Sequence, residues 1–203
     1  MTKRGQDTKE RILETAQTLV LDKGFSATSL DDIIRTTGMT KGAFFHHFRS
    51  KNDLAKRLVE RFADNNFRAF TEWGQRADTL SDDPYQALHL FLRLFEEWLD
   101  NLEQPFAGCL FAVYVYESKM FDEDVNEFIG TSFARWQTYY ERKFEAVLAT
   151  RTPRMDITAN QLAETIVSVL EGAFILARTY GDRHLITRQS RLFREYLKLL
   201  FED

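Results

Sequence analysis

Between its 9 glycines and 3 prolines, this 203-residue chain repeats apolar residues at intervals of three and four. That spacing lines one face of an α-helix, whereas a half-buried strand needs alternation with a period of two. The pattern predicts an all-α fold. In the first helix, expected over about 7–23, Ile12, Leu13, Ala16, Leu19 and Val20 form one stripe, and Gly24 supplies the stop. Ser29 then precedes Leu30 with Asp32 three residues on, a capping box in which Asp stands for the usual Glu. That second helix ends near Thr37 and Gly38, and Thr40 caps a short third run from Lys41 to Phe48.

Two helices joined by a three-residue turn with glycine in it have the spacing of a helix-turn-helix, whose second helix enters the DNA major groove. Thr40 and Lys41 offer a hydroxyl and a cation to bases or phosphates, Gly42 lets the backbone approach closely, and Phe44 and Phe48 face inward. Charge distribution agrees. The formal net charge is -4, yet residues 1–61 hold 12 Lys and Arg against 8 Asp and Glu, and residues 62–203 hold 15 against 23. A basic end on an acidic remainder suits a protein that meets a polyanion with one end only.

Other classes are excluded. The longest uncharged apolar run, Phe106 to Tyr116, covers 11 positions, short of the roughly 18–20 needed to span a bilayer. The opening MTKRGQDTKER has no apolar stretch or cleavage pattern, so a cytoplasmic protein is expected. The single cysteine, Cys109, rules out an internal disulfide and a multi-thiolate zinc site, leaving a buried apolar group or a reactive thiol. Adjacent His46 and His47 point about 100° apart on a helix with no Cys or carboxylate to complete a tetrahedron, so no metal or other cofactor is expected.

The stretch from Phe25 to Leu54 resembles the DNA-binding domain of the TetR family of bacterial transcriptional regulators. The resemblance rests on Gly24, Phe25, Ser29, Gly38, Lys41, Gly42, His46, Phe48, Ser50 and Lys51. It implies phosphate contacts from Thr28, Ser29, His46, His47 and Lys51, with Thr40, Lys41, Gly42 and Phe45 nearest the bases. Where many members carry tyrosine this chain has Phe45 and His47, so one phosphate-directed hydroxyl is missing and an imidazole stands nearby. Lys3 and Arg4 are expected to add a basic arm. The expected domains are a helix-turn-helix domain over 1–50 and a helical ligand-binding and dimerisation domain over 51–203, with 51–74 as the connecting helix.

The second domain is rich in rings: 14 of the 18 Phe, all 7 Tyr and all 3 Trp follow position 61. Most are expected to fill a helical core. The run Trp98-Leu99-Asp100-Asn101-Leu102, then Gly108-Cys109-Leu110, resembles the ligand domain of one TetR subgroup. Trp98, Cys109, Phe111, Tyr114 and Trp136 are therefore the ligand-binding candidates, Cys109 either as a thiolate that reacts with electrophiles or as an inert thiol. Apolar residues surround most of the helix over about 158–180, so its second side, with that of the helix over about 185–202, is expected to pack on a partner chain. Ile166, Leu170, Phe174, Phe193, Tyr196 and Leu197 are the interface candidates.

The function expected is a homodimeric, ligand-responsive transcriptional repressor. It binds a palindromic operator in double-stranded DNA and leaves when an apolar, aromatic or electrophilic effector binds. Two alternatives stand beside it. One is a helix-turn-helix protein without a ligand; the other is a helical enzyme using Glu117, Asp122, Glu123 and Asp124 as acid–base groups, for which no catalytic motif appears.

Overall fold

The computed structural model describes residues 3–104 and 106–202, without the side chains of Lys3 and Arg4, so the expected basic arm lies outside the described side chains. Among the described residues the chain is helical with no strand: α1 (Lys3–Lys23), α2 (Leu30–Thr37), α3 (Lys41–His47), α4 (Lys51–Leu80), α5 (Pro84–Asp100), α6 (Leu110–Tyr116), α7 (Glu123–Leu148), α8 (Ala159–Tyr180) and α9 (Leu185–Phe201), with one 3-10 turn at Ser118–Met120. Helix α1 starts four residues before the expected position and α4 runs six residues past it, continuing through Gly74, a residue that weakens a helix interior without having to end it. No described helix is long and apolar enough to cross a membrane.

The chain divides into two compact units. The first joins residues 1–65 with Cys109–Thr131, and the second joins 66–108 with 132–203. This partition differs from a cut at residue 50. Helix α4 contributes its first half to one unit and its second half to the other, and α6 belongs with the N-terminal helices although it is distant from them in sequence. What brings α6 there is apolar: Phe111 and Tyr114 are completely buried, Phe62 meets Phe111 edge-on, and Tyr114 stacks parallel to Phe121, with centroids 4.2 Å apart. The Tyr114 hydroxyl donates to the carbonyl of Ala55 at 3.2 Å, which satisfies the polar tip of a ring that has no access to water.

The second unit packs α5, α8 and α9 with the later halves of α4 and α7 around Tyr85, Phe91, Phe95, Tyr140, Phe144, Leu162, Ile166, Phe193 and Leu197. One ion pair is buried with this core. Glu96 of α5, 3% exposed, accepts from Arg194 Nε at 2.8 Å and Nη2 at 2.7 Å, and from the Ser190 hydroxyl at 2.9 Å. At the α4–α7 crossing Gly74 makes room for a ring: a Cβ there would stand 1.7 Å from the Tyr139 hydroxyl oxygen.

Candidate nucleic-acid interface

Short-range bonds build the helix-turn-helix. Ser29 Oγ accepts from Asp32 N at 3.0 Å while Asp32 Oδ2 accepts from Ser29 N at 3.2 Å, so both sides of the capping box close. Lys23 donates to the same carboxylate at 2.8 Å, and this bond is the main reason that the Asp32 carboxyl lies well below the usual carboxylate range. Helix α2 ends on Gly38 at φ +67°, a left-handed conformation that costs a residue with a Cβ and costs glycine nothing. The chain reverses within two residues, and Thr40 Oγ1 caps α3 by accepting from Ala43 N at 3.2 Å.

Helix α3 has two distinct sides. Phe44 and Phe48 are buried in the first unit, which fixes the helix to its neighbours. Thr40, Lys41, Gly42, Phe45 and His46 are exposed, with Phe45 half accessible. Lys41 Nζ sits 2.9 Å from Asp31 Oδ1 of α2, both side chains open to water, so this ion pair is screened by salt and holds the cation only weakly. His47 is partly covered; burial, then the nearby charges of His46 and Lys9, lowers its pKa and favours the neutral imidazole.

Two of the phosphate-contact candidates face inward. Thr28 is completely buried and donates to the Gly24 carbonyl at 2.7 Å. Lys51 donates to the Phe25 carbonyl at 2.7 Å with its ammonium 4.2 Å from the centre of the Phe25 ring, and burial lowers its pKa. Both residues hold the turn between α1 and α2. Spacing could not distinguish this from an outward role, since it depends on where the Phe25 ring docks. The exposed Arg35 and Arg49, absent from the sequence-based candidates, add cations on the same segments, with Arg35 at 2.5 Å from Asp32.

The ligand candidates fall in different units. Gly108, at φ +107°, turns the chain into α6 and Cys109 occupies its N-cap, buried and with no side-chain cap bond. Phe111 and Tyr114 are core of the first unit, as described above. Trp98 belongs to the second, in a file of rings with Trp73, Phe95 and Phe106, and Trp136 meets Phe133 edge-on along α7. A groove of about 560 Å³ in this unit is lined by Gln75, Asp78, Tyr139, Arg142 and Lys143, among others, and by none of the candidates. Of the interface candidates, Ile166, Leu170, Phe193 and Leu197 are buried in their own unit and Phe174 and Tyr196 partly so. The apolar side chains exposed on α8 and α9 are instead Ile175, Leu176, Tyr180, Leu192 and Leu199. Periodicity marks an apolar face but does not say whether the chain's own core or a partner covers it.

Residues 12–58 match the family model of bacterial regulatory proteins of the TetR family, and residues 84–191 match the C-terminal domain of LmrA/YxaF-like transcriptional regulators. The chain belongs to the TetR family. Relatives include the transcriptional regulator YxaF of Bacillus subtilis, 29% identical over 90% of this chain and 91% of that one. Another is AcuR of Cereibacter sphaeroides, 28% identical over 82% and 80%. A TetR-family regulator from Agrobacterium tumefaciens shares the fold, with a TM-score of 0.79 and 24% identity over 95% of this chain and 98% of its own. Family and relatives are DNA-binding transcriptional regulators rather than enzymes, and members of the family act as dimers. Of the acids Asp122, Glu123 and Asp124, the first precedes α7 and the other two form its first turn, with Asp124 paired to Lys56.

Proposed function

We propose that the protein is a homodimeric repressor that occupies a palindromic operator and is released by a small effector. The observation that carries the DNA half is the two-sided α3: Phe44 and Phe48 anchor it while Thr40, Lys41, Gly42, Phe45 and His46 stand clear. In this reading Thr40, Lys41 and Phe45 meet bases, and Ser29, His46 and His47 meet phosphates. Thr28 and Lys51 support the turn that carries them. Dimerisation uses the outer apolar side chains of α8 and α9, Ile175, Leu176, Leu192 and Leu199, and sets two recognition helices about 34 Å apart or a multiple of that.

The effector half rests on the rings of the second unit. Trp73, Trp98, Phe106 and Phe174 are only partly covered, and the fully buried Tyr140 hydroxyl has no hydrogen-bond partner. An apolar or aromatic molecule carrying a polar atom suits that environment. The HTH-type repressors DhaR of Mycobacterium sp., 22% identical over 96% of this chain, and NemR of Escherichia coli, 38% identical over 27%, support the repressor sign. Gel shift on the protein's own promoter region at stated salt tests both halves, with and without unreactive aromatics and thiol electrophiles. Selective binding released by unreactive aromatics is the expected result. Release by electrophiles that Cys109→Ser abolishes would instead make the thiol the sensor, and absence of selective binding would sink the DNA reading.

A further inference from the structure

The turn between α1 and α2 is held from a distance. Glu117, which ends α6, lies 92 residues along the chain from Phe25, yet its carboxylate accepts from Phe25 N at 3.2 Å and Ser26 N at 2.7 Å. It also accepts from the Ser26 hydroxyl at 2.6 Å. Gly24 makes the approach possible, since a Cβ there would stand 2.6 Å from Glu117 Oε1. From the other side Lys51, the first residue of α4, binds the Phe25 carbonyl and covers its ring. Three residues, Gly24 to Ser26, are thus gripped between the C-cap residue of α6 and the first residue of α4, and they lead through buried Thr28 into the capping box of α2.

We propose that Glu117 is a positioning residue for DNA reading: its carboxylate fixes the α1–α2 turn, and through it α2 and α3, to α6. The inference rests on the assignment of α3 as the DNA-reading helix. A surface acid of a DNA-binding domain ordinarily repels the phosphate backbone, so neutralising one strengthens binding. Glu117 is expected to do the opposite, because its charge is spent on three donors of the turn and a misplaced α3 loses its base contacts.

Fluorescence anisotropy on a promoter fragment and on a scrambled fragment, at one salt concentration, provides the test. Glu117→Gln keeps the shape, removes the charge and turns one acceptor into a donor. It should lower the preference for the promoter fragment on the order of tenfold, within the range typical of coupled sites. Ser26→Ala removes a single bond and should lower it by about two- to fivefold. Glu123→Gln, the same charge change on the exposed start of α7, should leave the preference unchanged or raise affinity slightly. Thermal melts of each variant correct for any unfolded fraction, and hydrogen exchange at the Phe25 and Ser26 amides reports the turn without DNA. Faster exchange at those amides with an unchanged or increased promoter preference overturns the proposal. Wild-type protein that does not select the promoter fragment overturns the assignment of α3 beneath it.

Discussion

Residues 24–50 start and stop their helices on bonds that span three to five positions, whereas α5 and α9 are joined by Glu96, Ser190 and Arg194, separated by 94 and 98 positions. The first region is specified by small polar residues and glycines at fixed offsets, which act before any tertiary contact exists. The second is specified by rings and by one ion pair that has meaning only when α5 and α9 are already packed. A motif of the first kind is visible in the sequence, and one of the second kind is visible only in the fold.

Breaking the long-range side should be the more costly. Glu96→Ala leaves Arg194, 15% exposed, without its bidentate partner, and should destabilise the chain by about 3–5 kcal/mol in urea or thermal unfolding. Replacement of both residues by apolar groups of similar volume should recover much of that loss, and failure to recover any would show that the pair does more than satisfy itself.

A titration sharpens the same contrast. His89 of α5 is buried against Tyr85, with Nε2 unpartnered, and faces the charges of Arg194, Lys198, Glu195 and Glu202. Burial, then Arg194, lowers its pKa from 6.5 to about 4. The unfolded chain therefore binds a proton that the folded chain refuses between these values. Stability from this group is complete above pH 6.5 and is lost as pH falls toward 4, by on the order of 3 kcal/mol over the window. His89→Phe should flatten that part of the stability–pH curve; an unaltered slope would assign the acid sensitivity to other groups.

At the α4–α7 crossing Gly74→Ala forces the Tyr139 hydroxyl aside and should cost roughly 1–3 kcal/mol. Tyr139→Phe should restore most of the loss, a non-additivity that a double-mutant cycle measures. The local side gives smaller effects. Gly38→Ala meets no neighbour within 4 Å, so its cost is that of a left-handed residue, about 1–2 kcal/mol. Ser29→Ala should cost about 1 kcal/mol through the lost cap. Both should weaken promoter binding by more than the unfolded fraction in thermal melts accounts for, since they loosen α2 and the turn into α3 rather than the core.

What could be read before folding follows the same division. The capping box at Ser29 and Asp32, the left-handed Gly38 and the Thr40 cap stand where the spacing put them. Helix ends without a side-chain cap or a left-handed glycine lie elsewhere than the spacing predicts, as at Lys3 and at Leu80, which α4 reaches straight through Gly74. Among the binding candidates, exposure of Gly42 and His46 follows from helical phase once Phe44 and Phe48 are assigned inward, whereas Thr40 and Lys41 share the phase of those rings and are exposed at the N-terminal end of α3. The inward turn of Thr28 and Lys51 does not follow from phase, because it depends on the Phe25 ring and on Glu117 arriving from α6.

The sequence by itself determined the helical class, the helix-turn-helix and the family, because periodicity, caps and turn glycines act over a few residues and are written in order. Tertiary structure alone decided that α6 joins the unit that holds the helix-turn-helix and that Glu117 grips the α1–α2 turn. It also decided that Ile166 and Leu170 fill the chain's own core while Ile175 and Leu176 remain exposed. The physical reason is that burial belongs to pairs of surfaces: a residue's spacing gives the face it lies on, and only the packed neighbour decides what that face meets.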